Sequence, residues 1–226
     1  RNIPFTLQLL PYLDQAPLYN RFNFSQAAGG AQRSDGGPSA ALYTANTDLF
    51  TTPLAAFRCP SDPIYTDPST AGGTHYNRRN AYRTSYYYPA LLREVDTCSS
   101  WGQQTGSRTV MHINGAARIA DITDGTTNTM ALVETPFKKN STSYGPYWTT
   151  WVYTQAPNPV GNINRKTGCG GGGSGCPTAW GAGSAHDGGL HIGMADGSVR
   201  FLSENINSSI VSWLCNIADG NVISEF

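Results

Sequence analysis

Charged residues are scarce in this chain of 226 residues: they make up 13%, and 15 basic residues balance 15 acidic residues. Soluble globular domains usually carry about 25% charged residues. Binding to nucleic acid depends on Lys and Arg side chains that neutralise phosphates, and the chain has no basic cluster and no net positive charge. The composition therefore excludes nucleic acid as an expected partner, and it equally disfavours an anionic membrane surface.

Long apolar runs are also missing. No stretch approaches the ~20 apolar residues that a membrane-spanning helix needs. No charged segment followed by an apolar one marks a secretion signal, and the sequence opens on Arg1. We therefore expect a processed or truncated chain.

The usual catalytic signatures are absent from the sequence. None of the five cysteines forms a Cys-x-x-Cys pair, and no Gly-x-Ser-x-Gly elbow is present. The segment 168–173 fits Gly-x-Gly-x-x-Gly formally, but it follows no predicted strand and opens no predicted helix, so nucleotide binding is rejected. We expect a protein that is not an enzyme.

The strongest local pattern is a β-hairpin near the end of the chain. Two apolar-patterned runs, Leu190–Ala195 and Val199–Leu202, flank Asp196-Gly197-Ser198. Asp-Gly between such runs predicts a type I′ turn, in which Gly197 takes a positive φ without a steric clash. His186 lies where the first strand is entered, and nine residues separate it from Asp196.

The rest of the chain predicts short elements between long loops. Proline positions and apolar spacing predict helices at 11–15, at 17–22, at 42–50 and at 206–215. Aromatic and β-branched residues predict strands at 82–88, 129–134 and 147–153. Residues 25–40, 62–80 and 155–185 read as loops. The sequence has no internal repeat and no linker, so we expect a single α+β domain over residues 1–226, built on an antiparallel sheet.

Two groups of polar residues are candidates for chemistry. Asp121, Asp124 and Asn128 place several hard oxygens in one turn-rich segment, which is a candidate calcium site, although Asp124 could equally cap a turn. His186 could form a metal site or an acid–base pair with His191, Glu134 and Asp187. Because the two histidines are five residues apart, a single strand would place them on opposite faces.

We therefore expect His186 to hydrogen-bond a carboxylate or carbonyl and to lock the hairpin onto the sheet. A pocket shared by His186 and Glu134 would instead favour an enzyme.

Aromatic residues suggest a binding face. Tyr147, Trp148, Trp151 and Tyr153 lie within seven residues, and a strand there would turn at least one tryptophan outward. Exposed flat rings suit glycans or protein contacts. The alternative is that loops cover both faces.

Four segments of the chain resemble one family. They are the hairpin motif at 186–197 (His, nine residues, Asp-Gly), the segment Phe5–Phe24, the segment Phe57–Pro63 containing Cys-Pro-Ser-Asp, and Ala120–Glu134 containing Ile-Thr-Asp-Gly-Thr. Taken in their order along the chain, these four segments resemble a planctomycete-type family of prepilin-like proteins of unknown function. Asp187 departs from the proline that the family more often has there, and the family's N-terminal apolar helix is absent from this sequence. The resemblance therefore implies membrane attachment only through that absent helix.

The resemblance implies a pilin-like globular head outside the cell. Its expected function is that of a structural subunit in a surface filament or secretion apparatus, with itself or other pilin-like subunits as partners. The alternative is an extracellular module that binds a carbohydrate or another ligand through exposed Tyr and Trp.

The secreted context that the family implies also favours disulfides. Cys169 and Cys176 bracket a glycine-rich segment and are expected to pair, and Cys59 with Cys98 is the next candidate pair. Cys215 is expected to remain unpaired within the chain.

Overall fold

A computed structural model describes residues 3–26, 46–63, 81–91, 101–103, 106–112, 114–137, 139, 145–149, 157–161, 163–168, 174–177, 180–223 and 226. In this part of the chain the α-helices are α1 Phe5–Leu9, α2 Ala16–Arg21, α3 Thr47–Phe50 and α4 Ser208–Cys215. Single 3₁₀ turns are Leu10–Leu13, Ala55–Phe57, Trp101–Gln103, Ile119–Asp121 and Thr126–Asn128. The strands are β1 Tyr86–Tyr87, β2 Met111–His112, β3 Gly115–Ala116, β4 Met130–Glu134, β5 Lys166–Gly168, β6 Ser174–Pro177, β7 Gly189–Met194 and β8 Val199–Ser203.

The main sheet has four antiparallel strands in the order β1-β4-β7-β8. Tyr86 lies opposite Glu134 across β1 and β4, and His191 lies opposite Phe201 across β7 and β8. Two smaller two-stranded sheets pair β2 with β3 and β5 with β6. This arrangement confirms the predicted α+β class with an antiparallel sheet and short helices.

The hairpin is confirmed, but its turn is not the type I′ turn that Asp-Gly predicts. Gly197 has a φ of 88°, and Asp196 is not among the residues with positive φ. Gly197 N–H donates to Met194 O and Met194 N–H donates to Ser198 O, which is a three-residue loop with glycine in the left-handed position. The Asp196 carboxylate accepts from the backbone and the hydroxyl of Ser198, so it stabilises the turn from the side.

One face of the sheet packs against α4. Alternate residues of β7, Leu190 and Ile192, are buried, together with Leu202 of β8. They pack against Val211, Leu214 and Cys215 of the helix in one core cluster. The buried members of this cluster are Met130, Val133, Ala182, Leu190, Ile192, Met194, Leu202, Val211, Leu214 and Cys215. His191 and Gly193 alternate with these buried residues along β7, so they face away from this core.

The N-terminal helices form a second cluster with the segment around Trp148. Leu7, Leu10 and Leu18 pack there with Phe57 and Trp148. Pro11 and Pro17 lie in the first turns of their helices, as predicted, because a missing N–H costs nothing there. No helix among the described residues has the length and apolar character to cross a bilayer.

Several predicted boundaries differ from the structure. The strand predicted over 82–88 is reduced to Tyr86–Tyr87, and the helix predicted over 42–50 is described only as Thr47–Phe50. The predicted loop 155–185 contains β5 and β6. In the strand predicted over 147–153, Tyr147 forms only an isolated bridge with Arg83, and residues 150–153 lie outside the described residues.

Candidate functional site

A cleft of about 430 Å³ opens beside the face of the sheet that α4 does not cover. Three separate segments line it: the turn that follows the 3₁₀ turn Ala55–Phe57, the end of β4, and the loop before β7. They contribute Cys59, Glu134 and His186 respectively, and the cleft is completed by Tyr86, His191 and neighbouring residues. The candidate site is therefore built from segments that are far apart in the sequence.

The turn Cys59-Pro60-Ser61-Asp62 fixes the position of the thiol. Asp62 N–H donates to Cys59 O at 3.0 Å, which closes the turn. The buried Asp62 carboxylate accepts hydrogen bonds from Ser85 Oγ and from the backbone N–H of Phe137, at 3.0 and 2.7 Å. Asp62 therefore anchors the turn to the sheet, and Cys59 is directed toward the cleft.

The loop before β7 holds His186 by its own hydrogen bonds. Ser184 Oγ donates to Gly189 O at 2.6 Å and accepts from His186 N–H at 3.0 Å. Asn164 accepts from Ser184 N–H and donates to Gly189 O, so it ties the loop to the hairpin. Gly188 has a φ of 76°, which turns the chain between His186 and the strand.

Glu134 is the buried centre of the cluster, with 3% of its surface exposed. Its Oε2 accepts from the backbone N–H of His191 at 2.6 Å and lies 3.5 Å from Nδ1 of the same residue. Its Oε1 lies 3.4 Å from His186 Nε2. The two carboxylate oxygens therefore have different neighbours, and only Oε1 is directed toward His186.

The thiol contacts the same imidazole nitrogen. Cys59 Sγ lies 3.6 Å from His186 Nε2. Tyr86 lines the cleft beside Cys59, and burial, followed by the neighbouring Cys59, raises the pKa of the Tyr86 phenol well above its usual value. Tyr86 therefore stays protonated and can donate to the sulfur.

The expected relation between the two histidines is wrong. Their rings lie 4.7 Å apart at 90°, on the same side of the sheet. The period-2 argument fails because His186 precedes β7, and the chain turns at Gly188 before the strand begins. The expected contact of His186 with a carboxylate is present, and so is the pocket shared with Glu134.

The residues proposed for calcium are engaged in other contacts. The Asp124 carboxylate accepts from the backbone N–H groups of Asp219 and Gly220, at 2.6 and 3.0 Å. The Asp121 carboxylate contacts the Arg118 side chain at 3.1 Å, and hydrogen bonds from Arg118 lower the pKa of Asp121. Asn128 Nδ2 donates to Asp124 O at 3.4 Å. These contacts support the capping alternative for Asp124.

Asp124→Ala is expected to lower the free energy of unfolding by about 2 kcal/mol, because two backbone N–H groups of the C-terminal segment lose a charged acceptor. Urea denaturation with and without millimolar calcium measures this. Asp48→Ala, at an exposed position of α3, is the control and should change little. If calcium strongly stabilised the wild-type protein but not Asp124→Ala, the result would support the predicted calcium site instead.

The predicted aromatic face is not present at the two residues that the structure describes. Tyr147 and Trp148 are 0% and 1% exposed. They pack in the N-terminal core cluster, where Phe57 stacks on Trp148. Trp151 and Tyr153 lie outside the described residues.

The described cysteines differ from the prediction in which of them are free thiols. Cys59 is a free thiol, so the predicted Cys59–Cys98 disulfide is wrong: the Cys59 sulfur faces His186 in the cleft, and Cys98 lies outside the described residues. Cys215 is a free, buried thiol as predicted, and burial raises its pKa. Cys169 lies outside the described residues, so its pairing with Cys176 stays a prediction.

Sequence reasoning missed Cys59 and Tyr86 as members of the site. The segment Cys-Pro-Ser-Asp was recognised, but only as part of a resemblance, and its cysteine was assigned to a disulfide. His186, Asp196 and Gly197, which share one motif, have different roles: His186 lies in the cleft, and Asp196 and Gly197 form the turn at the other end of β7.

The fold and the cleft define an α+β protein in which a thiol, an imidazole and a carboxylate meet beside one face of the main sheet. Residues 1–209 match the family described as protein of unknown function (DUF1559), and the chain belongs to that family. No match was found among curated proteins or among solved structures.

Proposed function

We propose that the chain is the extracellular globular head of a pilin-like or pseudopilin-like structural subunit. Membership of the family and the α+β fold with an antiparallel sheet support this proposal. Its expected partners are other copies of the chain or other pilin-like subunits, in a surface filament or a secretion apparatus.

The observation that carries the proposal is the exposed apolar surface of β8, an edge strand among the described strands of the main sheet. Val199 is 69% exposed and Phe201 is 46% exposed, and they alternate along the strand on the face of His191 and Gly193. Edge strands of soluble proteins are usually protected by charge, proline or a covering loop. An apolar edge suits a strand that contacts another subunit.

Replacement of both residues, Val199→Glu with Phe201→Glu, is expected to abolish assembly because it places charge on this surface. Val222→Glu is the matched control, since Val222 is 88% exposed in the C-terminal segment. The measurement is electron microscopy of the full-length protein at the surface of its native cells, with N-terminal sequencing of the same material. Filaments lost only in the double variant support the proposal; discrete particles in the wild type, or filaments unchanged in the double variant, contradict it.

The proposed role is not catalytic. In a thiol–imidazole–carboxylate relay the imidazole bridges its partners with its two different nitrogens. Here the sulfur and Glu134 Oε1 both lie near the same nitrogen, His186 Nε2. This arrangement does not pass a proton from the thiol to the carboxylate through the ring.

A second candidate function is an extracellular ligand-binding module. The cleft favours it, because polar groups converge in a concavity with the apolar side chains Leu132 and Val199 at its wall. The binding surface would then be the cleft and not the Tyr/Trp face expected from the sequence. A glycan-array screen of the wild type against Glu134→Gln distinguishes a carbohydrate in the cleft from one bound elsewhere.

A further inference from the structure

His186 Nε2 has two partners, and its contact with the carboxylate is longer than a strong hydrogen bond. A single imidazole nitrogen carries at most one hydrogen, so it cannot donate to both Cys59 and Glu134. A charge-assisted N–H···O bond is about 2.7–2.9 Å long, whereas Nε2 and Glu134 Oε1 are 3.4 Å apart. The Cys59 sulfur, the Glu134 oxygen and the His186 nitrogen therefore lie around a common point without forming short hydrogen bonds to one another.

We propose that Cys59, Glu134 and His186 bind one divalent metal ion of the zinc class. Their ligand atoms all lie within 4.8 Å of one another. Tetrahedral zinc, with Zn–S of about 2.3 Å and Zn–N or Zn–O of about 2.0–2.1 Å, separates sulfur from nitrogen by about 3.6 Å and nitrogen from oxygen by about 3.4 Å. The measured separations are 3.6 Å and 3.4 Å.

The donor set selects the class of metal. Thiolate and imidazole are ligands of zinc and of related late transition metals, whereas calcium and magnesium take oxygen ligands. Among the described residues, Cys59, Glu134 and His186 form the group of three His, Cys, Asp or Glu side chains whose ligand atoms are close enough to share one ion. The inference does not depend on filament assembly.

Neighbouring groups orient the ligands as metal sites require. The backbone N–H of His191 holds Glu134 Oε2 at 2.6 Å, which leaves Oε1 for the ion. Tyr86 lines the cleft together with Cys59, and a hydroxyl that donates to a metal-bound sulfur stabilises the thiolate. Asp62 and Ser184 fix the two loops that carry Cys59 and His186.

The protein supplies three ligands, and the fourth coordination position faces the cleft. Zinc sites with a purely structural role usually have four protein ligands, whereas three ligands and an open position are typical of sites that bind a further molecule. The side chain of His186 is 25% exposed, so the ion is reached from solvent through the cleft. A water or a ligand with an oxygen or nitrogen donor fits the open position.

The test begins with reduced, chelator-treated protein titrated with Zn²⁺ by calorimetry and with Co²⁺ by absorption spectroscopy. We expect one ion per chain and a thiolate-to-cobalt charge-transfer band. Cys59→Ser should lose the band, whereas Cys215→Ala, which removes the other free thiol found among the described residues, should keep it. His186→Ala and Glu134→Gln should each weaken Zn²⁺ binding by about 100-fold or more, the upper end of what an outer-sphere partner costs.

His191→Ala is the matched histidine control and should weaken binding less than His186→Ala, because His191 contacts Glu134 only through Oε2. Circular dichroism establishes that each variant is folded, and His186→Ala, at a partly exposed position, keeps the test valid if Glu134→Gln does not fold. A folded, reduced wild type that binds no Zn²⁺, or a cobalt band that persists in Cys59→Ser, would overturn the proposal. His186 would then act only as a contact that holds the hairpin to the sheet.

Discussion

Gly189→Ala is expected to destabilise the protein by about 3 kcal/mol, which is a large fraction of the stability of an ordinary domain. A Cβ at this position would lie 2.1 Å from Leu202 O and 2.8 Å from the ring of Phe201. The carbonyl belongs to the paired strand β8, so it cannot move without breaking the hairpin ladder. The added methyl group therefore forces β7 and β8 apart at the end that carries the loop of His186.

The matched control is Gly193→Ala, in the same strand. Its Cβ would approach only the side chain of Leu132, at 3.4 Å, which is ordinary van der Waals contact. Urea denaturation monitored by tryptophan fluorescence compares the two variants. Equal free energies of unfolding for the two would show that the close approach of Gly189 to β8 does not determine the stability of the hairpin.

Asp62→Ala is expected to lower the free energy of unfolding by about 3 kcal/mol. The substitution leaves the backbone N–H of Phe137 and the hydroxyl of Ser85 without their buried acceptor. Asp62→Asn keeps one carbonyl oxygen, so its expected loss is smaller, about 1 kcal/mol. Asp187→Asn, at an exposed position in the loop of His186, is the control and should change little.

The same variants also test how the free energy of unfolding depends on pH. Burial raises the pKa of the Asp62 carboxyl, although hydrogen bonds from Phe137 and Ser85 oppose this. A carboxyl with a raised pKa in the folded state stabilises most below its unfolded pKa, and this contribution is lost as pH rises through the folded pKa. The difference in unfolding free energy between the wild type and Asp62→Asn should therefore shrink from about pH 3 toward pH 7. A difference that grows with pH over this range would contradict the assignment.

Local signals in the sequence predicted the elements that frame the cleft. Asp196-Gly197 between two apolar runs predicted β7 and β8, and the β-branched segment 129–134 predicted β4. The C-terminal helix was also predicted, and it begins two residues later than expected, at Ser208. These predictions succeeded because alternation and turn chemistry act between residues that are close in sequence. The turn type was wrong because the hairpin accommodates one positive φ, at Gly197, instead of two.

Predictions that depended on distant contacts fared differently. The aromatic pattern predicts a binding face that includes Tyr147 and Trp148, but both are buried because the N-terminal helices pack over them. The sequence predicts a disulfide for the free Cys59, because it gives no measure of what a thiol faces. A strand period predicts opposite faces for the two histidines, and it fails because the chain turns between them at Gly188.

Residue order and local spacing are sufficient to predict the hairpin, the α+β class and the family. The site depends on tertiary contacts, because Cys59 and His186 are 127 positions apart in the chain. Their contact depends on how Asp62 anchors one loop and Ser184 the other to the same sheet. Distances of a few ångströms between ligand atoms are a property of packing, and no local pattern in the sequence encodes them.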